Sequence, residues 1–277
     1  MLNPCKIVFY YKKCNILDFS QLIVKNWSVR ALKVLFLAFF GIFWINPAFS
    51  ACEDKAGPAV NWANCEFKGI DLKNKDLSNA VLTGAKLTDA DFSGARLENT
   101  DLNFSTIENA RFDGARMSNT RLVGVNGAGA SFKGAILDNS RLSRSDLSHA
   151  DFSGVRAHKS IFYQAQLASA NFADAILNES SFESAKLSRA DFTQSNLEKV
   201  TFIDAQLSEA DFSKAVLNKA ILDGTDCQNT NFSSADLSKA SFREAEIEEA
   251  IFKDAILKDT IWFDYKRCRS RSVGVCE

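Results

Sequence analysis

Proline and histidine are scarce in this chain, and charge of one sign does not dominate it. Only three of the 277 residues are proline and the last is Pro58, so no later proline interrupts a regular backbone pattern. The two histidines, His149 and His158, leave little scope for histidine-based catalysis or metal binding. A formal net charge of −1 excludes a strongly basic nucleic-acid binder, and 46% hydrophobic residues exclude a disordered tail.

The first 50 residues differ in composition from the rest of the chain. They carry six basic residues and one acid, Asp18, and they include a 12-residue apolar run from Val34 to Ile45. A basic region, a short apolar core and the small residues Ala48 and Ser50 are typical of a secretory signal peptide that is cleaved before Ala51. The segment 1–50 therefore predicts export, to the periplasm or to the medium.

Two alternatives for this segment stay open. An uncleaved membrane anchor would use residues 31–45, although a full span needs about 17–25 apolar residues. A lipoprotein is the second alternative, because Phe49-Ser50-Ala51-Cys52 loosely matches a lipid-attachment sequence. If the signal is removed, 27 basic and 33 acidic residues remain, and the resulting net charge of −6 is ordinary for a soluble chain of this size.

A five-residue repeat runs without insertion from Trp62 to Trp262. Every fifth residue is large and apolar in nearly all repeats, and we call this position the centre; a small residue, most often alanine, stands two positions before it. An α-helix repeats every 3.6 residues and a β-strand every 2, so a period of five requires a chain that turns a corner in each repeat. Stacked turns of this kind bury a continuous core, as in a β-solenoid.

A second period, of 20 residues, gives the size of one coil. Phenylalanine recurs at the centre every 20 residues from Phe92 to Phe252. Residues stacked on one side of a solenoid are one coil apart, so each coil has four sides of five residues and the rings form a ladder. About ten coils fit between Trp62 and Trp262, which at about 4.8 Å per coil predicts an all-β rod roughly 48 Å long.

The residue two positions after each centre is predicted to form the corner. Glycine and asparagine, which tolerate a positive φ best, occupy this position repeatedly, as at Asn79 and Gly84. Both become rare beyond residue 140, which predicts that the turn type changes along the rod. The centre is small at Gly127, Ala157 and Cys227, and we expect larger residues one coil away to fill the space there.

The repeat units resemble those of the pentapeptide repeat proteins, whose unit is A-(D/N)-L-x-x. The resemblance covers about residues 65–262 and is carried by units such as Ala85-Lys86-Leu87-Thr88-Asp89, Ala90-Asp91-Phe92-Ser93-Gly94 and Ala210-Asp211-Phe212-Ser213-Lys214. It implies a right-handed quadrilateral β-helix, with the handedness taken from the family. The predicted organisation is a signal peptide or membrane anchor at 1–50, an N-terminal cap at 51–66, the β-helix at 67–262 and a C-terminal cap at 263–277.

Four of the five cysteines beyond residue 50 lie at the two ends of the repeat region. Cys52 and Cys65 are 13 residues apart, and Cys268 and Cys276 are 8 apart. In an exported protein this spacing predicts one local disulfide at each end and a buried thiol at Cys227; the alternative is that all five are reduced. The predicted length of the rod excludes a bridge between its ends, and zinc is not expected because no histidine lies near either pair.

No catalytic, cofactor-binding or metal-binding constellation stands out, and the chain is predicted not to be an enzyme. It has no glycine-rich phosphate loop, no Gly-x-Ser-x-Gly and no His-Glu-x-x-His sequence. The recurrent aspartates are interpreted as turn-compatible polar residues of a solvated side. Acids offset the arginines between residues 96 and 156, so no nucleic-acid partner is expected.

Outward-facing apolar residues favour a protein-binding surface instead. They stand immediately before the centre on two sides of the predicted coil, Ile136, Ile176, Val216 and Ile256 on one and Ile161, Ile221 and Ile261 on the other. Such residues are typical of a contact surface for a partner. The alternative is that they reflect strand propensity alone, because β-branched residues suit strands.

The predicted function is that of an exported, non-enzymatic rod that acts as a scaffold or binds an unknown protein or cell-envelope partner. A DNA-mimicking protein that interacts with a topoisomerase is one alternative, which the resemblance implies because some members of the family have that activity. The modest charge and the cysteine-bearing ends count against it. A membrane-anchored or lipoprotein component of the envelope is the other alternative.

Overall fold

The computed structural model describes residues 52–277, so the signal peptide or anchor predicted at 1–50 lies outside the described residues. Within them the chain has no α-helix and no extended strand; it forms isolated parallel β-bridges between residues that are 20 positions apart. No helix in this part of the chain could span a membrane. The 20-residue coil predicted from the phenylalanine period is confirmed.

Each coil has four sides, which we number by their outward bridging residues. Side 1 runs from Asn61 to Ile261, side 2 from Glu66 to Glu246, side 3 from Asp71 to Ile251 and side 4 from Asp76 to Ile256. The centre follows each bridging residue and is completely buried in almost every repeat. The residue at the end of the repeat, most often small, is buried as well in nearly every repeat, so about two of every five residues form the core.

The backbone groups are satisfied mainly between neighbouring coils. From Trp62 to Phe242 the N–H of each centre donates to the carbonyl 19 positions later, as Phe192 does to Asp211 at 2.7 Å. The N–H of each bridging residue donates to the carbonyl of the small residue 21 positions earlier, as Asp211 does to Ala190 at 3.0 Å. Because every coil repeats these bonds, the four sides are continuous ladders of parallel pairs.

The corners share one backbone conformation along the whole rod. The residue two positions after each centre has φ between 54° and 70° from Ala59 to Asp259, whatever its side chain. A bond from the N–H of the small residue to the carbonyl of the preceding centre closes nearly every turn, and a positive φ at the third residue alone is the signature of a type II turn. The prediction that the turn type changes beyond residue 140 is wrong, because Lys159 and Arg189 adopt the conformation of Asn99.

The core consists of columns of centres stacked one coil apart. On side 3 the rings from Phe92 to Phe252 stack with centroids 4.7–5.2 Å apart and interplanar angles of at most 13°. On side 1 the column is leucine from Leu82 to Leu142 and mainly phenylalanine from Phe162 to Phe242. There the rings of the two sides meet edge to face, as Phe162 and Phe172 do at 88°. These contacts add to the stabilisation from apolar burial.

The smallest centre, Gly127, leaves no pocket. A Cβ placed on it would lie 2.8 Å from Ile107 Cγ1 and 3.0 Å from Leu147 Cδ2, so side chains one coil away fill the space, as expected. The corner at Gly124 is covered from outside by the ring of Phe104, whose Cδ1 would lie 2.8 Å from an added Cβ. This stretch of the rod is therefore packed as tightly as its neighbours.

Segments outside the regular coils cover both ends of the rod. At the N-terminal end the Trp62 indole Nε1 donates to the Asp54 carbonyl at 3.2 Å, and the parallel bridges begin at Asn61, within the segment 51–66. At the C-terminal end, residues 263–277 fold back along side 1 and then along side 4. They do so through two antiparallel bridges, Ile261 with Arg267 and Ile256 with Val273.

Candidate binding surface

Three positions in each repeat face outward and could contact a partner: the bridging residue, the residue after the centre and the corner residue. The N–H of the residue after the centre has no backbone acceptor in the described coils, and an aspartate or asparagine two residues earlier commonly accepts it. Asp191 Oδ1 accepts the N–H of Thr193 at 2.8 Å, and Asp211 Oδ1 accepts that of Ser213 at 2.8 Å. The recurrent aspartates therefore shape the turns, which agrees with their interpretation as turn-compatible polar residues.

The predicted partner residues of side 4 lie in one line but not next to each other. Its four apolar residues stand two coils apart: Ile136, Ile176, Val216 and Ile256. The bridges place a polar residue in each coil between them: Arg156, Asn196 and Asp236. The last three of the apolar residues are 40–45% exposed and the first is half-buried. Side 4 therefore alternates apolar and polar residues along the rod.

Side 1 carries a larger apolar surface than the sequence pattern predicted. Ile161 and Ile221 are exposed, and Ile261 is half-buried next to the C-terminal cap. Tyr163 and Ile203 lie on the same side, one position after their centres, and are half-buried. Sequence reasoning missed these two because it considered only the position before the centre. The 20-residue period, which places them two coils apart on the side of Ile161, would have found them.

Exposed apolar side chains are concentrated on two adjacent sides of the rod. Among the outward positions of the repeats, every large apolar residue except Ile251 belongs to side 1 or side 4. On side 1 they are Val81, Phe104, Val123, Ile161, Tyr163, Ile203, Ile221, Ile261 and Phe263, and on side 4 they are Ile136, Ile176, Val216 and Ile256. Strand propensity would favour β-branched residues on all four sides, so the asymmetry makes sides 1 and 4 the candidate binding surface.

A ladder of ion pairs lies at the corner between sides 4 and 1. Lys159, Glu179 and Lys199 follow one another in successive coils, with Nζ–Oε distances of 3.6 Å. Glu198 makes longer contacts of 4.0 Å with Lys199 and Lys219. Lys159 foremost, and Lys199 after it, hold the pKa of Glu179 below its usual range. A partner on sides 1 and 4 would therefore meet a ridge of alternating charge between two apolar strips.

The arginines between residues 96 and 156 are largely engaged with acids. Four ion pairs are 2.6–2.7 Å long: Arg111 with Asp113, Arg116 with Glu98, Arg121 with Asp101 and Arg156 with Asp138. Such pairing favours a solvated, charge-balanced surface over a stripe that binds phosphates. His149 lies on side 2 and His158 on side 4, and no group of three His, Cys, Asp or Glu residues within 52–277 is arranged to hold a metal ion.

The four terminal cysteines come together in the two predicted pairs, at disulfide distance. The Sγ atoms of Cys52 and Cys65 are 1.95 Å apart, and those of Cys268 and Cys276 are 2.08 Å apart. Cys227 is a buried thiol, and burial raises its pKa to about 12. The thiol therefore stays protonated at physiological pH and packs as a small apolar core residue.

Comparison with known protein families covers almost the whole rod. A profile described as pentapeptide repeats (8 copies) matches residues 65–103, 90–126 and 128–164. A second, described as pentapeptide repeat region, matches residues 155–220 and 195–263. A search of curated proteins gave no match.

Several solved structures are similar to this chain. HetL, a pentapeptide repeat protein involved in heterocyst differentiation regulation in the cyanobacterium Nostoc sp. strain PCC 7120, is 25% identical over 84% of this chain and 97% of its own, with a TM-score of 0.45. A pentapeptide repeat protein of the Arabidopsis thaliana thylakoid lumen is 26% identical over 34% of this chain and 67% of its own, with a TM-score of 0.34. Full-length QnrB1, a plasmid-mediated fluoroquinolone resistance protein, is 22% identical over 74% of this chain and 90% of its own, with a TM-score of 0.37. With the two family profiles together spanning nearly all of residues 65–263, the chain belongs to the pentapeptide repeat family and has its right-handed quadrilateral β-helix fold.

Proposed function

We propose that this protein is an exported, non-enzymatic rod that binds a protein or cell-envelope partner along sides 1 and 4. The observation that carries the proposal is the concentration of exposed apolar residues on these two sides, against polar residues on sides 2 and 3. A long apolar surface reduces solubility unless a partner covers it. Because the inward positions are all used for packing, selectivity for the partner resides in the outward residues.

The regularity of the coils supports a function without catalysis. The parallel bridges keep one 20-residue register from Asn61 to Ile261, so no loop is inserted between the described coils. Active sites are usually built from loops that gather several polar groups around a concave pocket. A rod of identical corners instead offers flat sides with a fixed spacing between residues, which suits the display of a contact surface.

Photocrosslinking in intact cells tests the proposed surface, and one coil supplies all the controls. A crosslinking amino acid replaces one outward residue on each side, Ile161, Gln166, Asn171 or Ile176 in turn. We expect the same partner adduct from Ile161 on side 1 and Ile176 on side 4, and none from the two polar sides. Adducts from all four positions, or from none, would contradict the proposal.

A triple substitution of Ile136, Ile176 and Val216 with threonine measures the contribution of side 4. Threonine is β-branched, so the strand geometry and the fold should hold while apolar contact area is lost. We expect the adduct formed through Ile161 to weaken. An unchanged adduct would show that the side 4 residues serve strand geometry only, and that the partner contacts side 1 alone.

The proposal that the protein is exported rests on the composition of residues 1–50 and on the two cysteine pairs at disulfide distance. Mass spectrometry of fractionated cells should find the protein outside the cytoplasm, with its N-terminus near Ala51. Non-reducing peptide maps should link the cysteines within each terminal pair. An intact Met1 in the membrane fraction would establish an anchor at 31–45 instead, and a lipid on Cys52 would establish a lipoprotein.

The alternative from a different functional class is a DNA mimic that interacts with a topoisomerase. A DNA mimic needs a dense negative surface, whereas lysine and arginine pair with acids along this rod, as Arg121 does with Asp101. A supercoiling assay with the purified protein distinguishes the two functions. If the protein protects or inhibits a topoisomerase at a concentration similar to that of the enzyme, the result would favour a DNA mimic over a rod that displays a contact surface.

A further inference from the structure

Phe104 occupies a corner of the rod whose backbone conformation disfavours it. Its φ is 58°, in the left-handed region that glycine and asparagine tolerate best, and the residue is 68% exposed. It is the only aromatic residue among the corners from Ala59 to Asp259. Neither burial nor backbone preference therefore explains a phenylalanine at this position.

Elsewhere in the rod the equivalent place is taken by asparagine or aspartate. Four corner glycines have, one coil earlier, such a residue whose Oδ1 atom lies at most 2.8 Å from a Cβ placed on the glycine. The pairs are Asn64 with Gly84, Asn74 with Gly94, Asn109 with Gly129 and Asp204 with Gly224. At Gly124 the ring of Phe104 takes that place. An asparagine would suit both the φ and the glycine, so the ring serves a purpose other than the stability of the rod.

Two arginines near Phe104 have no acidic partner. Arg141 and Arg144 are exposed on side 1 and at its corner with side 2, two coils beyond Phe104. Neither forms an ion pair within residues 52–277, in contrast to most arginines of the coils. Arg144 only donates from Nε to Gln164 Oε1 at 3.3 Å. Both guanidinium groups are therefore available to a carboxylate from outside.

The acids around these two arginines are already engaged. Asp101, the one acid on side 1 between residues 101 and 164, pairs with Arg121 at 2.6 Å. On side 2, Asp146 Oδ1 accepts the N–H of Ser148 at 3.1 Å and its hydroxyl at 2.8 Å. This stretch of side 1 therefore carries three arginines against one acid, and it attracts negative charge.

Apolar residues flank the arginines in both directions along the rod. Phe104 and Val123 precede them, and Ile161 and Tyr163 follow one coil later. Phe104 and Tyr163 are three coils apart, which is about 14 Å along the axis, and residues i and i+4 of an extended peptide face the same way about 13 Å apart. The surface therefore matches a peptide with apolar residues at i and i+4 and an acid at i+2.

We propose that the partner presents an extended acidic segment, with one carboxylate between two large apolar side chains, which lies along side 1 from Phe104 to Tyr163. Its carboxylate pairs with Arg141 and Arg144. The proposal rests on the proposed function, because it names the chemistry of the partner that binds sides 1 and 4. A protein segment is favoured over an acidic polysaccharide because both ends of the surface offer an aromatic and an aliphatic side chain, which suit apolar side chains.

Fluorescence polarisation with the purified chain, in the form that cells accumulate, tests the proposal with two labelled peptides. One contains Leu-Thr-Glu-Thr-Leu and the other Leu-Thr-Lys-Thr-Leu, so they differ only in the central charge. We expect the wild type to bind the acidic peptide at least about 10-fold more tightly, and Arg141→Glu with Arg144→Glu to reverse this preference. The variant should fold, because glutamate already occupies a bridging position at Glu66 and a corner at Glu179.

Lys133→Glu with Lys186→Glu is the matched control. These two lysines are exposed on sides 3 and 2 and form no ion pair in the described part of the chain, and their exchange alters the net charge by the same amount. We expect this variant to keep the wild-type preference. A preference that is lost in the control as well would show that net charge alone attracts the peptide, and it would overturn the proposal.

Phe104→Asn separates binding from stability. Asparagine covers the corner glycine elsewhere in the rod, so the melting temperature should stay the same or rise. The Kd of the acidic peptide should rise roughly 10-fold, because an exposed aromatic contact is lost. A lower melting temperature with an unchanged Kd would show that the ring serves the rod itself, against the proposal.

A labelled oligogalacturonate, which carries carboxylates without apolar side chains, distinguishes a polysaccharide from a protein segment. Tighter binding of this probe than of the acidic peptide would overturn the proposal, as would a wild type that binds neither peptide. In cells, the adduct formed through Ile161 should weaken in the variant with Arg141→Glu and Arg144→Glu. An unchanged adduct would overturn this proposal while the proposed function stands, whereas a wild type without adducts would reject both.

Discussion

The two halves of the rod have the same backbone conformation but differ in side chains at two positions of the coil, the corners and the centres of side 1. Most corners up to Asn139 carry asparagine or glycine, whereas later corners carry mainly lysine, glutamate, aspartate, serine, glutamine or arginine at nearly the same φ. The core differs as well, because the side 1 column is leucine in the first half and mainly phenylalanine from Phe162 onward. The second half thus combines less tolerant corner residues with a larger aromatic core.

The comparison indicates that coil pairing, and not the corner residue, fixes the turn. A left-handed φ costs a residue with a Cβ roughly 1–2 kcal/mol, and asparagine tolerates it better than most. Each corner N–H from Ala59 to Glu244 is bonded to the carbonyl 19 positions later, as Gln194 is to the Ser213 carbonyl at 3.1 Å. Edge-to-face rings contribute about 0.5–1.5 kcal/mol per pair beyond their burial. We infer that the double ring stack offsets the strain of the later corners.

The largest effect should come from removing one ring in each half. Phe172 stacks on two rings and meets two more edge-on, whereas Phe112 only stacks on two. Alanine at either position should lower the free energy of unfolding by roughly 3–5 kcal/mol, with the greater loss at Phe172. Urea denaturation measures both, and leucine at each position serves as the control. Equal losses would remove the energetic distinction between the halves.

The second-largest loss of stability should come from placing a larger side chain at a small inward position. Ala190 and Ala110 occupy the same station of the coil and are at most 1% exposed. Leucine at either should cost about 1–3 kcal/mol, with the smaller loss at Ala110, because leucines of side 1 adjust more easily than paired ring stacks. Ala173→Leu, an outward substitution on side 3, is the matched control and should change the melting temperature little. An inward substitution as harmless as this control would refute the assigned register.

The aspartate that accepts the N–H of the residue after the centre should contribute less to the free energy of unfolding. Asp191→Ala leaves the N–H of Thr193 without its acceptor at 2.8 Å, and the expected loss is about 1 kcal/mol. Asp191→Asn keeps the Oδ1 acceptor and should be nearly as stable as the wild type. Chemical denaturation of the two variants side by side checks this. Similar losses for both would mean that the charge of Asp191, and not its hydrogen bond, matters.

The smallest effect, and the most direct test of the comparison, is a corner exchange. Asn119→Gln puts a later-type residue in the first half, and Gln194→Asn does the reverse; both positions have φ near 60°. We expect the first to lower and the second to raise the free energy of unfolding by about 0.5–1 kcal/mol. Differential scanning calorimetry would show opposite shifts in melting temperature. Shifts of the same sign would show that contacts specific to each corner outweigh backbone preference.

Sequence reasoning succeeded where burial alone decides the structure. The centre and the small position are inward whatever surrounds them, so the periods of five and 20 predict the coil, its sides and the ring column ending at Phe252. The later corners could not be predicted from residue type, because two neighbouring coils impose the φ of residues such as Lys159. The path of residues 263–277 was out of reach as well, because these residues follow no repeat.

The constant separation between bridged residues has a consequence for how the protein folds. Each parallel bridge closes a loop of the same 20-residue length, at the first coil and at the last. The entropy lost on adding a coil therefore does not grow with the length of the rod, and each finished coil is the template for the next. Such a chain can order itself progressively as it emerges from a ribosome or a translocation pore, before its last residues have appeared. Gain or loss of a whole coil would lengthen or shorten this process without changing its elementary step.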